Sequence, residues 1–217
     1  MTNKITMALA KGRLADEAIS IMEQMGMDLR ELKAESRKLV FQDPSGQWEF
    51  LLVKPSDVPT YVDHGVADIG IAGKDTLMEE ARPLYELLDL EYGKCRLSIC
   101  GFPHNMDRLI TSSNFRIATK YPNIARGIYE ARGTNIEIIK LQGSVELGPL
   151  VGLSDVILDI VESGNTLKAN GLVELEEICP ISARLVVNRV SLKIKSQRIR
   201  PFIEEMRKAI EIRRNGK

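Results

Sequence analysis

Hydrophobic and polar positions along this chain follow two rhythms. Short apolar runs recur, each closed by a Gly-, Ser- or charge-rich turn, and amphipathic stretches lie between them. The first run, Ile5-Thr6-Met7-Ala8-Leu9-Ala10, predicts a strand. Ile19, Ile21, Met22 and Met25 then fall on a helical face over about 15–25. Leu39-Val40-Phe41-Gln42 and Trp48-Glu49-Phe50-Leu51-Leu52-Val53 flank the turn Asp43-Pro44-Ser45-Gly46, a hairpin pattern. A short helix follows, with Ser56 or Asp57 as candidate cap, ending at His64-Gly65. The run 67–73 predicts a strand and 76–82 a helix.

Alternating apolar residues around Cys95, Leu97, Ile99 and Cys100 carry the chain across to a second lobe, and 102–114 reads as a loop. Strands are then expected over 115–119 and 136–141, with helices over 123–132 and 144–153. The run Val156-Ile157-Leu158-Asp159-Ile160-Val161 reads as a buried strand. Two more apolar runs cover 172–178 and 182–188. A final helix is predicted over 201–214, with Pro201 in its first turn and Phe202, Met206, Ala209 and Ile210 on one face. The pattern implies an α/β fold of two lobes, each a mostly parallel sheet flanked by helices, with ligand loops at the strand C-termini. The lobes are expected at 1–95 plus about 175–217, and at 96–174.

At 217 residues the chain can bury a proper core. Lys+Arg and Asp+Glu stand at 30 each, which argues against a general nucleic-acid or membrane-surface binder. The N-terminus lacks the apolar core of a signal peptide, and no stretch approaches a membrane span. Three cysteines, Cys95, Cys100 and Cys179, form neither a disulfide framework nor a CxxC pair, so a reduced cytoplasm is the expected compartment. The two histidines, His64 and His104, sit in no metal or triad motif, so no protein-bound metal centre is expected. Chemistry is left to carboxylates, Lys, Arg and backbone N–H groups.

One segment concentrates that chemistry. Glu162-Ser163-Gly164-Asn165-Thr166-Leu167 follows a strand and opens a helix, where backbone N–H groups lacking intrahelical partners can bind phosphate. Gly164 allows close approach, and the Ser163 and Thr166 hydroxyls can each donate a bond. Asp159, a like charge to phosphate, suits sugar hydroxyls. One acid for a ribose beside one loop for its 5′-phosphate makes a phosphoribosyl site; an ordinary strand–turn–helix with a Ser/Thr cap accounts for the same segment. A second anion-facing junction is Lys11-Gly12-Arg13-Leu14, with a mobile point charge and a bidentate fork. Arg37-Lys38 stands at the hairpin entrance and Lys74-Asp75 at a third Gly-rich turn.

Taken together these junctions resemble the ATP phosphoribosyltransferase family. Its long signature is filled by Glu146, Gly152, Ser154, Ile157, Asp159, Ile160, Ser163, Gly164, Thr166 and Leu167, with Ser163 where Thr is usual. Lys11-Gly12-Arg13-Leu14, Ser36-Arg37-Lys38-Leu39, Pro55-Ser56-Asp57-Val58-Pro59, Gly70-Ile71-Ala72-Gly73-Lys74-Asp75 and Arg116-Ile117-Ala118-Thr119-Lys120-Tyr121-Pro122 are similar to its other segments. The resemblance implies the type II periplasmic-binding-protein fold with the site in the cleft between lobes, and the first step of histidine biosynthesis. It implies ATP and phosphoribosyl pyrophosphate as substrates, with Mg²⁺ on their phosphates.

On the same basis Asp159 and the loop 162–167 take phosphoribosyl pyrophosphate. Lys11, Arg13, Arg37 and Lys38 surround pyrophosphate and nucleotide phosphates, and Asp75 and Glu146 make polar contacts or order the loops. The chain further resembles the short form, without a C-terminal regulatory domain. That form implies a homodimer or higher assembly and a regulatory subunit related to histidyl-tRNA synthetase, in a hetero-octamer. Two rivals remain at this stage. A salvage-type phosphoribosyltransferase usually carries two adjacent acids, where here Ile160 follows Asp159. A solute-binding module shares the two-lobed fold.

Overall fold

The computed structural model describes residues 4–34, 37–106 and 114–215. In chain order the elements are β1 (Ile5–Ala10), α1 (Arg13–Gln24), α2 (Arg30–Lys33), β2 (Val40–Gln42), β3 (Trp48–Val53), α3 (Val58–Asp63), β4 (Ile69–Gly73), α4 (Lys74–Glu80), β5 (Tyr85–Asp89), β6 (Cys95–Gly101), β7 (Asn114–Thr119), α5 (Pro122–Ala131), β8 (Asn135–Lys140), α6 (Leu147–Leu150), β9 (Val156–Val161), α7 (Asn165–Ala169), β10 (Val173–Ile181), β11 (Ala183–Val187), α8 (Arg189–Ile194) and α9 (Ser196–Asn215). Short 3-10 turns cover Pro55–Asp57 and Pro103–Asn105.

They form two units, Met1–Gly93 with Ser182–Lys217, and Lys94–Ile181. The first is built on a six-stranded sheet in the order β2-β3-β1-β4-β11-β5. Only the central β3-β1-β4 trio is parallel. β2, β11 and β5 join antiparallel, so the sheet is mixed where a mostly parallel one was expected: β2 closes a hairpin onto β3, and β11 runs the returning chain between β4 and β5 in the opposite direction.

The period-2 pattern of β1 sorts its side chains onto two cores. Ile5, Met7 and Leu9 pack with Ile19 and Met22 of α1 and with Phe202 and Met206 of α9. Ala8 and Ala10 pack with Val58 and Val62 of α3. Each large aliphatic or aromatic side chain buried this way contributes about 1.5–3 kcal/mol. Small residues let α3 lie close. A Cβ on Gly70 would come 2.6 Å from Val62 Cγ2 and 2.8 Å from Val58 Cγ1. Asp57 holds the N-cap position of α3, yet neither it nor Ser56 caps with its side chain; the two bond to each other instead, Ser56 Oγ donating to Asp57 Oδ1 at 3.2 Å.

The last helix begins at Ser196, so Pro201 lies inside α9 and not in its first turn. The carbonyl four residues earlier belongs to exposed Gln197, where water can take the bond that Pro201 cannot donate.

The second unit carries a five-stranded sheet in the order β10-β6-β9-β7-β8. β7 is parallel to β8 and β9, whereas β6 is antiparallel to β9 and β10. The chain returns to the first unit at Ser182, later than the expected 175. Residues 173–181 are a full strand whose pairing, from Val173 opposite Gly101 to Ile181 opposite Cys95, holds them to β6. Cys100, Ala118, Val145, Ile157, Val161, Leu167 and Leu172 form one core of this unit. The helix expected over 144–153 shrinks to α6, since Ser144 and Gly152 take φ of 48° and 72° and cannot continue it. Most of the expected loop 102–114, and Ser36 of the Ser36-Arg37-Lys38 segment, lie outside the described residues. No described helix is long and apolar enough to cross a membrane.

Candidate active site

In the first unit the parallel trio fixes one edge of chemistry. The segments leaving β1, β3 and β4 begin with Lys11, Lys54 and Lys74 and emerge side by side. The Lys11 N–H donates to the Val53 carbonyl at 3.0 Å, and the Leu52 N–H donates to the Leu39 carbonyl at 2.9 Å. Lys11-Gly12-Arg13 and Arg37-Lys38 therefore flank the same end of β3, one from each side. Gly12, at φ 103°, makes the sharp exit into α1 that brings Arg13 to the first helical position. Lys11, Arg13 and Arg37 are exposed or nearly so. Lys38 Nζ meets Glu31 Oε2 at 3.1 Å and lies 5.2 Å over the Phe41 ring.

Asp75 is buried and folds back over Gly73, so closely that a Cβ there would collide with its Oδ1. It orders the turn that presents Lys74, and Lys74 itself pairs with Glu86 at 2.7 Å.

In the second unit β7, β8 and β9 run parallel, so Lys120, Leu141 to Glu146 and the 162–167 loop share an edge. Buried Thr119 joins the strand ends. Its Oγ1 donates to the Leu158 carbonyl at 2.7 Å and accepts the Tyr121 N–H at 2.8 Å. Gly164 stands at the N-cap of α7 in the left-handed region, φ 74° and ψ 8°, which turns the backbone tightly after the strand. No Ser/Thr side chain caps α7; Ser163 Oγ accepts the Asn165 N–H at 3.4 Å. Glu162, Ser163, Asn165 and Thr166 are exposed, Gly164 is half-buried, and Leu167 is buried in the core as the anchor of the loop.

Asp159 is half-buried, its Oδ1 accepting the Ile160 N–H at 2.9 Å. It pairs across the sheet with Ser98, whose buried Oγ has no hydrogen-bond partner among the described residues. Glu146, half-buried at the start of α6, lies near the same face. Burial first, then the carboxylates of Glu174 and Asp159 and finally that of Glu146, push the Cys100 thiol up to about 12, against the pull of Arg96. The small residues of the long segment 146–167 have a packing cause: a Cβ on Gly148 would come 2.6 Å from buried Ser154 Oγ.

The structure thus gathers Lys11, Arg13, Arg37, Lys38 and Asp75 at one strand edge of the first unit, and Asp159, Glu146 and the 162–167 loop at one edge of the second. The sequence reading gave Lys54 and Arg96 no role, and named Thr119 only within a family-like segment. Lys54 could have been found as the cation closing a parallel strand; Arg96 could not, because it gains its place only through antiparallel pairing with β9.

The family model for HisG, ATP phosphoribosyltransferase, matches residues 54–208. The chain is 54% identical over 207 residues to the ATP phosphoribosyltransferase of Thermoanaerobacter sp. (strain X514), covering 95% of this chain and 96% of that one. It is 49% identical over 208 residues to the enzyme of that name in Clostridium acetobutylicum, at 95% and 96% coverage. Among solved structures, a chain of the ATP phosphoribosyl transferase (HisG:HisZ) complex from Thermotoga maritima superposes with a TM-score of 0.83 at 37% identity, covering 95% of this chain and 98% of that one. The periplasmic aliphatic sulphonate binding protein SsuA from Escherichia coli superposes at 0.60 with 11% identity, covering 98% and 74%, a likeness of fold alone, in keeping with the type II periplasmic-binding-protein architecture. On the family match and on these relatives of equal length, the chain belongs to the ATP phosphoribosyltransferases, pentosyl-transferring enzymes of the first step of histidine biosynthesis.

Proposed function

We propose that the chain joins ATP to phosphoribosyl pyrophosphate, giving N1-(5-phosphoribosyl)-ATP and pyrophosphate. N1 of adenine attacks C1 of the ribose, the new C–N bond forms, and the bond to the pyrophosphate oxygen breaks with its electron pair leaving on that oxygen. N1 carries a free lone pair and needs no strong base. Charge grows on the leaving group, so fixed cations contribute most.

The observation that carries the assignment is the Glu162–Leu167 loop. Left-handed Gly164, two exposed hydroxyls and the backbone N–H groups of a first helical turn, of which Asn165 N–H makes only a long 3.4 Å bond to Ser163 Oγ, make a 5′-phosphate cradle. Asp159, three residues before the loop on β9, accepts from the ribose hydroxyls. Lys11, Arg13, Arg37 and Lys38 take the pyrophosphate and the phosphates of ATP, while Asp75 and Glu146 order the segments around them. Mg²⁺ enters with the substrate polyphosphates and neutralises part of their charge; no group of three His, Cys, Asp or Glu side chains among the described residues is placed to hold an ion alone.

As the Thermotoga maritima relative is a HisG:HisZ complex, we assign this chain the catalytic place in a comparable short-form assembly, a hetero-octamer with a regulatory subunit resembling histidyl-tRNA synthetase. Histidine control enters there through the partner. The reducing cytoplasm, in keeping with a sequence of three cysteines and no CxxC pair, is the compartment assigned.

The test is product formation from ATP, phosphoribosyl pyrophosphate and Mg²⁺ by the purified chain, with and without the partner and histidine. Turnover that only the partner-containing sample loses on adding histidine supports the assignment. Ligand binding without turnover in either sample overturns it in favour of a binding module.

A further inference from the structure

Arg96 stands on β6 opposite Val161, the last residue of β9. Its Nε donates to Glu174 Oε2 on β10 at 2.7 Å, with Glu177 Oε2 at 3.9 Å. Its Nη1 donates to the Glu162 carbonyl at 3.4 Å. The strands follow the order β10-β6-β9, so one guanidinium bridges three strands and ends on the first residue of the phosphate loop. A rigid planar fork can hold a carboxylate on one side and a carbonyl on the other; a Lys ammonium has no such fixed geometry. The loop has a second anchor at its other end, where buried Leu167 is packed into the core. Between these anchors the Asn165 N–H donates to Ser163 Oγ at 3.4 Å, and the Gly164 and Thr166 carbonyls accept from the Lys168 N–H at 3.1 Å and Asn170 Nδ2 at 2.8 Å.

We propose that Arg96, oriented by Glu174, is a positioning residue of the transfer reaction. Through the Glu162 carbonyl it fixes the height at which Ser163, Gly164 and Thr166 meet the 5′-phosphate, an inference that rests on the loop assignment above. A displacement well under an ångström is enough to weaken several aligned hydrogen bonds at once.

Electrostatics gives this role a sign of its own. Glu174 is an anion near a site for an anion. If it acted only through space, removing its charge would tighten phosphoribosyl pyrophosphate. If it acts by holding Arg96, removing the charge-assisted bond weakens that substrate.

The experiment measures kcat and both KM values for Arg96→Lys, Glu174→Gln and Thr166→Ala in the complete enzyme, with the regulatory partner if turnover requires it, alongside thermal unfolding. Arg96→Lys and Glu174→Gln are expected to raise KM for phosphoribosyl pyrophosphate about five- to twentyfold, with KM for ATP moving less than about twofold. If Thr166→Ala raises that KM while Glu174→Gln lowers it or leaves it unchanged, the loop assignment stands and the positioning role is overturned. If Thr166→Ala has no effect on it, the loop assignment falls and the positioning role with it. Equal rises in both KM values with a lowered unfolding temperature reduce Arg96 to a structural residue and also overturn the proposal.

Discussion

Lys195 Nζ donates to Asp68 Oδ2 at 2.7 Å, joining residues 127 positions apart. Asp68 is buried, and its two oxygens also accept the Thr6 N–H at 2.9 Å and the Ser191 hydroxyl at 2.6 Å. Lys195 adds a bond to the Lys4 carbonyl at 2.8 Å. The group ties α8 and the start of α9 to the N-terminal ends of β1 and β4, the ends away from the cationic turns.

Replacing Lys195 by Met leaves a buried carboxylate with two partners in place of three, and is expected to lower stability by about 2–3 kcal/mol. Urea unfolding checks it. Pairing Lys195→Met with Asp68→Asn is expected to cost less than the sum of the two single changes, since they share one network. Strict additivity would show that the pair is not coupled.

Arg13→Ala and Arg37→Ala each remove a cation from the edge at the end of β3. A charged hydrogen bond to a developing anion is worth about 1.5–3 kcal/mol, so each change is expected to slow turnover roughly ten- to a hundredfold. Turnover within about twofold for both variants, at saturating substrates, would remove the charge-clamp assignment.

Asp159→Asn keeps the shape of the side chain and weakens its acceptance from ribose hydroxyls. KM for phosphoribosyl pyrophosphate is expected to rise about tenfold, and that for ATP far less. Equal losses for both substrates would point to damage in the core beside Ser98 and Cys100.

The Lys4 ammonium, 2.7 Å from Glu49 Oε2, is the foremost cause holding that carboxyl below its ordinary range; partial burial works against it and Gln42 and Thr6 add to it. The folded value lies below the ordinary 4.5, so the pair's contribution is complete above that pH and is lost as pH falls through the folded value. Glu49→Gln is expected to lower stability at pH 7 by up to about 1 kcal/mol and to flatten the acid limb below about pH 4.5. Chemical unfolding at pH 7, 4.5 and 3.5 decides it; an unchanged acid slope would assign that limb to other carboxylates.

The sequence by itself determined much of this protein. Alternation in β1 and β3 and the turn between β2 and β3 made the strands legible, because strand and turn preferences act over a few neighbouring residues. The 162–167 loop was readable for the same reason: an apolar run closed by Ser, Gly, Asn and Thr folds as strand, turn and helix from local chemistry alone. The family resemblance followed from the spacing of residues from Glu146 to Leu167 together with the other Gly- and charge-rich junctions. Local signals also misled. Pro201 read as the start of a helix, whereas α9 begins five residues earlier, because burial of Ile199 and Phe202 against the sheet outweighs the missing N–H.

Tertiary structure alone decided which distant groups meet. The return strands β10 and β11 set where each unit ends, and Asp75 turned out to fold back on Gly73. Arg96 reaches Glu162 across 66 positions of chain. Strand register and order fix such meetings, and they are settled by the summed burial of whole sheet faces, which no short window of residues contains.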